Sequence, residues 1–407
     1  MYLSQDRDRK ELQLISNSQF CKSSKEFKID DVKKDLLKQD LEKKFYSGKV
    51  MASIFCIFDV LMFEPTKSAQ SVFTKVETFG EESVNGVVLL ADFDKFERMF
   101  IIKSPKDSLT NDMLHEYFVG VSCTNRMRNY IPNFAYILGA FKCKPPVLSG
   151  DNDDKKVLDW CQKGDRRTYV NYVIYEKVPG ESLKARTKML EFEEFFSYIL
   201  QLAFSIHRAW QDCKFTHYDL HTSNVILRPW KTESFYIPYE TEYGIMYVKS
   251  SKIATMIDFG NSRVEIGGDA FGVYGYESYG NFAHLSRPWY DIYKVLMFSL
   301  YDMLVSGNND CFDQSLDLLR IIIDSEGKMS RDDIVKKVKD ERRDYYTLSR
   351  MPLPIETNPQ TNNLLYFLQQ VEQKYPEMWK KVVTDNPGSA EFLSDPTYRP
   401  ETGAYLI

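Results

Sequence analysis

One polar stretch constrains the fold of this 407-residue chain more than any other feature. It reads FTHYDLHTSNVIL (215–227) and follows a long amphipathic run. His217, Asp219 and His221 stand at alternating positions, with Asn224 three residues further. On an extended strand, alternating side chains face the same way, so these three could converge on a zinc ion. The same residues also fit the catalytic loop of a phosphoryl-transfer enzyme.

A second polar stretch favours phosphoryl transfer. SKIATMIDFGNSR (251–263) ends an apolar, strand-like run in a D-F-G triplet that begins at Asp258. Transfer from ATP needs carboxylate and amide oxygens to hold magnesium, and a residue near the attacking hydroxyl. The pattern H-x-D-L-x-x-x-N followed by D-F-G supplies them. Asp219 would orient the acceptor hydroxyl, while Asn224 and Asp258 would coordinate magnesium.

The order of predicted elements indicates the fold class. Short β-prone runs (SVFTKVETFG, GVVLLADF, RMFIIKS) follow residue 71, and long apolar helices follow at 190–213 and 287–307. Strands first and helices later predict an α+β protein with two unlike lobes. Before them, 29–45 has the spacing of an amphipathic helix, and the apolar run 51–63 is predicted to be a buried helix.

Composition narrows the partners and the compartment. The formal net charge of -5 argues against a protein that coats nucleic acid, so no direct nucleic-acid contact is expected. The amino terminus is too polar for a secretory signal, and the longest apolar run is too short to span a bilayer. The seven cysteines are odd in number and scattered, which favours a reducing compartment without a disulfide framework. We therefore expect a soluble intracellular protein.

With these landmarks in order, residues 71–340 resemble the protein kinase-like superfamily. The resemblance implies that Lys103, in MFIIKS, contacts the ATP phosphates and that Glu116, in DMLHEYF, pairs with Lys103. It also makes VIYEKV the hinge between the lobes, where the backbone of Glu176 and Val178 would contact adenine.

The resemblance assigns further supporting roles. Tyr175 would lie at the back of the nucleotide pocket, Asp291 would brace the catalytic loop, and His217 would support the loop backbone. The fold would be a two-lobed kinase-like fold with extensions at both ends. The predicted division is an N-terminal helical extension (1–70), a kinase N-lobe (71–180), a kinase C-lobe (181–345) and a C-terminal extension (346–407).

The phosphate-covering loop departs from the superfamily's glycine pattern. GEESVNGVV (80–88) replaces G-x-G-x-x-G. Gly80 and Gly86 would still supply flexible backbone close to the phosphates, with Ser83 at the tip. Taken alone, the segment also fits a plain hairpin turn at Asn85-Gly86. Its position shortly before Lys103 favours the nucleotide role.

The catalytic loop and the segment after it also depart from the pattern. His221 replaces a lysine of Ser/Thr protein kinases, and this form is similar to small-molecule kinases of the aminoglycoside and choline type. Tyr218 replaces an arginine that reads a phosphorylated activation loop, so switching through that position is not expected. Residues 228–250 form a predicted insertion. The A-P-E motif is absent, and 267–288 is rich in glycine and aromatic residues.

The segments LHEYFVG, HYDLH and RPWYDIYKV resemble divergent Ser/Thr protein kinases of large nucleocytoplasmic DNA viruses. The predicted function is accordingly an ATP- and magnesium-dependent Ser/Thr protein kinase with a protein substrate. The resemblance implies action in the host cytoplasm and packaging in virions. Two alternatives stay open, namely a small-molecule phosphotransferase and a pseudokinase that serves as a scaffold or virion component.

Overall fold

The structure is a computed structural model of the chain. It describes residues 58, 72–73, 75–79, 86–93, 96–105, 113–128, 130–149, 156–161, 168–230, 233–277, 280–324, 328–343, 364–388, 398–399 and 404–405. The helices predicted over 29–45 and 51–63 lie outside the described residues, apart from Phe58.

The amino-terminal lobe is built on a five-stranded antiparallel sheet with the order β1-β2-β3-β7-β4. Helix α1 continues through a π-helical turn (Gly120–Thr124) and a short helical turn (Asn125–Met127). The elements are β1 (Lys75–Thr78), β2 (Val87–Phe93), β3 (Phe96–Ser104), α1 (Met113–Val119), β4 (Ile137–Cys143), β5 (Val147–Ser149), β6 (Lys156–Asp159) and β7 (Val170–Glu176).

Both faces of this sheet are buried, because alternate residues of each strand point to opposite sides. On one face, Val173 and Tyr175 of β7 join the large core that includes α1. On the other face, Phe100 of β3 packs edge-on against Phe58, with ring centroids 5.4 Å apart. A β-carbon at Gly139 would lie 2.2 Å from the Phe58 β-carbon, so only glycine leaves room for this ring. Residues that precede the sheet therefore contribute to its core.

The carboxyl-terminal lobe is mainly helical. Its long helix α3 (Phe192–Cys213) is followed by Lys214, whose left-handed backbone (φ 48°) ends the helix and turns the chain directly into the 215–227 stretch. The elements are β8 (Glu181–Ser182), α2 (Leu183–Arg186), α3 (Phe192–Cys213), β9 (Val225–Pro229), β10 (Phe235–Thr241), β11 (Gly244–Ser250), β12 (Lys252–Met256), β13 (Val264–Ile266), β14 (Asp269–Phe271), α4 (Pro288–Ser306), α5 (Asn309–Ile323), α6 (Arg331–Arg343), α7 (Leu364–Lys374), α8 (Pro376–Val382), β15 (Val383–Thr384), β16 (Tyr398–Arg399) and β17 (Ala404–Tyr405).

The predicted insertion folds as the antiparallel hairpin β10–β11. The outer edge of β11 pairs with β15, where Val248 lies opposite Val383. On the inner side, Tyr239 stacks on Phe204 of α3 with ring centroids 5.1 Å apart. Its hydroxyl donates to Asn133 Oδ1 at 2.9 Å. The insertion and the segment 364–383 therefore share one core with α3.

The sheet-rich first part and the helical second part confirm the predicted α+β class with two unlike lobes, and they fit a two-lobed kinase fold. No helix within the described ranges is both long and apolar enough to cross a bilayer.

The expectation that the cysteines form no disulfide framework is wrong. Cys123 is joined to Cys213, and Cys143 to Cys161, across 90 and 18 residues of sequence. Spacing carried no signal here because packing of the α1 continuation against the end of α3 brings the first pair together. Cys311 is free and buried.

Candidate active site

Lys103 joins the two lobes. It lies on β3, and its Nζ is 3.0 Å from Glu116 Oε1 on α1 and 2.6 Å from Asp258 Oδ1 beyond β12. Burial opposes the charge of Lys103, but the two carboxylates outweigh it and raise the pKa of the ammonium above its ordinary value. Lys103 is therefore a fixed cation between the lobes.

Glu116 also holds the backbone of the D-F-G triplet. Its side chain is 1% exposed, and its Oε1 accepts the backbone N–H of Phe259 at 3.1 Å. Burial raises the pKa of Glu116, while Lys103 opposes this shift. The pKa of Asp258 is lowered, because the Lys103 ammonium outweighs burial. One glutamate thus positions both the cation and the start of the 258–260 segment.

The backbone adopts strained conformations at two site positions. Tyr218 has φ of 60° and Asp258 has φ of 68°, in the left-handed region that non-glycine residues rarely occupy. Such conformations persist where surrounding contacts hold them, and they concentrate at functional sites. Here the contacts include a hydrogen bond from Tyr218 N to Asp291 Oδ1 at 2.8 Å.

Asp291 on α4 holds the backbone of the 215–227 loop in place. Its second oxygen, Oδ2, accepts the backbone N–H of His217 at 2.7 Å. Burial raises the pKa of Asp291 to about 7, although both backbone donors oppose the shift. This contact is the one that the resemblance implied.

His217 is held by backbone groups on both sides of its ring. Nε2 lies 3.0 Å from the Ile257 carbonyl, and Nδ1 accepts from Asp219 N at 3.3 Å. Burial lowers the pKa of His217 to about 4, so the ring is neutral and Nε2 carries the donated proton. Because both nitrogens are engaged by the backbone, His217 is not available as a zinc ligand. Among the described residues, no three His, Cys, Asp or Glu side chains are grouped to hold a metal.

Asp219 is the carboxylate of the 215–227 loop, and it is partly accessible to solvent. Its side chain is 29% exposed, and Oδ1 contacts Lys294 Nζ at 2.6 Å. Oδ2 lies 3.5 Å from Asn261 Nδ2 and 3.9 Å from His221 Nε2. Sequence reasoning missed both Lys294 and Asn261. A lysine one helical turn after Asp291 was the signal that could have identified Lys294.

Asn224 and Asp258 form an oxygen-only donor set. The Asn224 Nδ2 donates to the Asp219 carbonyl at 2.9 Å, which leaves the amide oxygen for a cation. The Asn224 carbonyl accepts from Ile257 N at 3.0 Å, which brings the loop beside the residue before Asp258. Magnesium is commonly bound by one or two protein oxygens together with phosphates, so this donor set fits it.

The residues that the sequence predicts to form the hinge lie at the end of β7 and directly after it. Glu176 N donates to the Tyr136 carbonyl at 2.9 Å, and its carboxylate forms an ion pair with Arg228 at 2.8 Å. Tyr175 is buried, with its ring centroid 5.0 Å from Lys103 Nζ. Val178 follows β7 in the link to the second lobe.

The phosphate-covering loop is only partly described. Gly80 and Ser83 lie outside the described residues. Gly86 directly precedes β2, where a β-carbon would lie 2.5 Å from the Ser104 carbonyl oxygen. Close pairing with β3 therefore requires glycine at Gly86, whatever its part in binding.

Two viral proteins are similar to this chain in sequence. No protein-family profile matches the chain. It is 30% identical over 251 residues to "Probable kinase 098L" of Invertebrate iridescent virus 3, covering 60% of this chain and 42% of that protein. It is 24% identical over 204 residues to "Uncharacterized protein 179R" of Invertebrate iridescent virus 6, covering 47% and 16% respectively.

The chain thus spans less than half the length of the curated relatives it matches. A solved structure, "Crystal structure of PF14_0431, kinase domain", aligns with 78% of this chain and all of that one, at 14% identity and a TM-score of 0.37. Over the matched 60% of its length, the chain is thus similar in sequence to a protein described as a probable kinase of an iridescent virus.

Proposed function

We propose that the chain is an ATP- and magnesium-dependent protein kinase that phosphorylates serine or threonine. The observation that carries this proposal is the convergence on Lys103. The lysine contacts Glu116 and Asp258 at 3.0 and 2.6 Å, and Asp219 and Asn224 lie on the adjoining loop. Few structural needs would gather these polar groups from β3, α1 and two separate loops.

The mechanism assigns one task to each group. Lys103 positions the ATP phosphates, and the carbonyl of Glu176 with the backbone of Val178 contacts adenine. Asn224 and Asp258 would hold magnesium, which offsets the negative charge that develops on the phosphates. The acceptor hydroxyl oxygen bonds to the γ-phosphorus while the bond to the β,γ-bridging oxygen breaks. Asp219 orients that hydroxyl and takes its proton.

The contacts of Tyr218 favour a protein acceptor. Its hydroxyl donates toward the Phe282 and Leu285 carbonyls, at 3.2 and 2.7 Å. The segment before α4 is thereby tied to the catalytic loop without a phosphate. A fixed segment beside Asp219 suits a peptide that must lie in one orientation.

One observation favours a small-molecule phosphotransferase as the second candidate. His221 occupies the position of the lysine that the Ser/Thr kinase pattern carries, and its ring stacks on Phe298 with centroids 5.5 Å apart. A scaffold without activity is the third candidate. The same transfer experiment distinguishes all three.

The experiment is transfer of labelled γ-phosphate from ATP by the purified full chain with magnesium. Acceptors are the chain itself, casein, a basic protein, and a pool of aminoglycosides and amino alcohols. Label in serine or threonine that vanishes with Asp258→Asn supports the proposal. Label only in small molecules would support the second candidate. ATP binding without any transfer would favour the scaffold.

We propose where the protein acts from the viral origin of its relatives. Both curated relatives come from iridescent viruses, which supports a viral protein that acts in the host cytoplasm. By resemblance to the viral kinases, we propose that it is packaged in virions. Detection of the chain in purified, protease-treated particles tests this, and its absence there would refute packaging.

A further inference from the structure

His221, which replaces the lysine of the Ser/Thr kinase pattern, is held by contacts with other residues of the chain. The His221 ring stacks on Phe298 of α4, and Nδ1 accepts from Ser223 N at 3.2 Å. Its Nε2 remains 3.9 Å from Asp219 Oδ2, beyond hydrogen-bond distance. His221 therefore does not hold the carboxylate of Asp219 directly.

A lysine from another element does so. Lys294 lies on α4, one turn after Asp291, and therefore on the same face of the helix. Its Nζ contacts Asp219 Oδ1 at 2.6 Å and the Tyr218 carbonyl at 3.1 Å. Asp291 holds the preceding loop residues through their backbone N–H groups. Two residues of one helix face thus hold consecutive parts of the loop.

Burial limits what Lys294 can do. Its side chain is 3% exposed, whereas that of Asp219 is 29% exposed. A buried ammonium needs a charged or hydrogen-bonded partner, and the carboxylate supplies it. Lys294 lies behind Asp219, so it acts on the reacting groups through that carboxylate.

We propose that Lys294 is a positioning residue for phosphoryl transfer. It holds Oδ1 of Asp219 so that Oδ2 faces the acceptor hydroxyl, a contact that His221 does not make. In this scheme the acceptor proton passes to Asp219. The inference rests on the proposed function, because it names a residue of the same site.

The test is a double-mutant cycle of Lys294→Met and Asp219→Asn, followed by single-turnover transfer from labelled ATP. Lys294→Met should lower the transfer rate at least about tenfold, since a positioned general base contributes roughly 10²- to 10⁴-fold. The KM for ATP should not change. In the Asp219→Asn background the lysine change should cost nothing further, because both act through one carboxylate.

The matched control is Lys252→Met. Lys252 forms an ion pair with Glu181 at 2.9 Å, in the same lobe, and it begins strand β12 at the end farther from Asp258. This variant should retain the wild-type rate. Lys294→Gln, which keeps a donor for the Tyr218 carbonyl, replaces Lys294→Met if the latter fails to fold.

The outcomes separate the inference from the function on which it rests. No transfer by the wild-type chain would overturn the proposed function, and the role of Lys294 with it. An active wild type with a fully active Lys294→Met would overturn the inference alone. Additive losses in the cycle, or a raised KM for ATP with an unchanged rate, would also overturn it.

Discussion

His207 should make the fold sensitive to acid. The residue lies on α3, its side chain is buried, and neither ring nitrogen has a hydrogen-bond partner within the described residues. Burial lowers the pKa of His207 from 6.5 to about 4. In the unfolded chain the ring takes up a proton as the pH falls below 6.5, whereas in the folded chain it stays neutral. Stability is therefore present above pH 6.5 and is lost as the pH falls toward 4.

The magnitude follows from these two pKa values. At pH 5 the difference in proton binding costs about 2 kcal/mol of the free energy of unfolding, and at pH 7.5 it costs almost nothing. His207→Leu removes the titrating group. Between pH 7.5 and pH 5, the free energy of unfolding of this variant should therefore fall by about 2 kcal/mol less than that of the wild type. It also removes two buried polar atoms without partners, which should raise stability at pH 7.5 by about 1 kcal/mol.

The assay is urea unfolding of the full chain at pH 5 and pH 7.5. Some acid sensitivity should remain in the variant, because burial also lowers the pKa of His217 to about 4. His284→Gln, at an exposed position, is the control and should follow the wild type. A His207→Leu variant that loses as much stability as the wild type between the two pH values would refute the reasoning.

Three further changes test other parts of the structure. Tyr218→Phe removes the hydroxyl that ties the segment before α4 to the loop, so the KM for a peptide acceptor should rise about three- to tenfold, corresponding to about 1 kcal/mol for one hydrogen bond, while the KM for ATP stays the same. Equal KM values for the peptide would contradict that role. Lys103→Met should greatly lower the transfer rate, and unchanged turnover would mean that another lysine positions the phosphates. Phe58→Ala should cost about 3 to 5 kcal/mol in urea unfolding, because the buried ring packs over Gly139, and a loss under 1 kcal/mol would show that this packing is dispensable.

Local patterns predict those candidate site residues that are close together in sequence. Asp219 and Asn224 lie on one short loop, and their spacing together with the nearby D-F-G triplet predicts phosphoryl transfer. Asp258 ends an apolar strand, a pattern that can also be identified from local sequence. The structure brings Asp258 to Lys103. The catalytic roles of Asp219, Asn224 and Asp258 stay proposals.

Long-range partners could not be predicted from the same patterns. Lys294 is 75 residues from Asp219, and a lysine in an apolar helix is ordinarily interpreted as an exposed residue. The pairing of β11 with β15 joins segments more than a hundred residues apart. The bond between Cys123 and Cys213 depends on how the two helices pack, which no spacing records.

The sequence by itself determined the order of strands and helices, the α+β class, and which loop side chains could take part in catalysis. These depend on short-range hydrophobic periodicity and local spacing, which are written directly in the chain. Only the tertiary structure decided which cation holds Asp219, which ring covers the outer face of the sheet, and that the insertion completes the core of the second lobe. Those contacts join distant residues, and packing selects them from many partners that the sequence alone leaves equivalent.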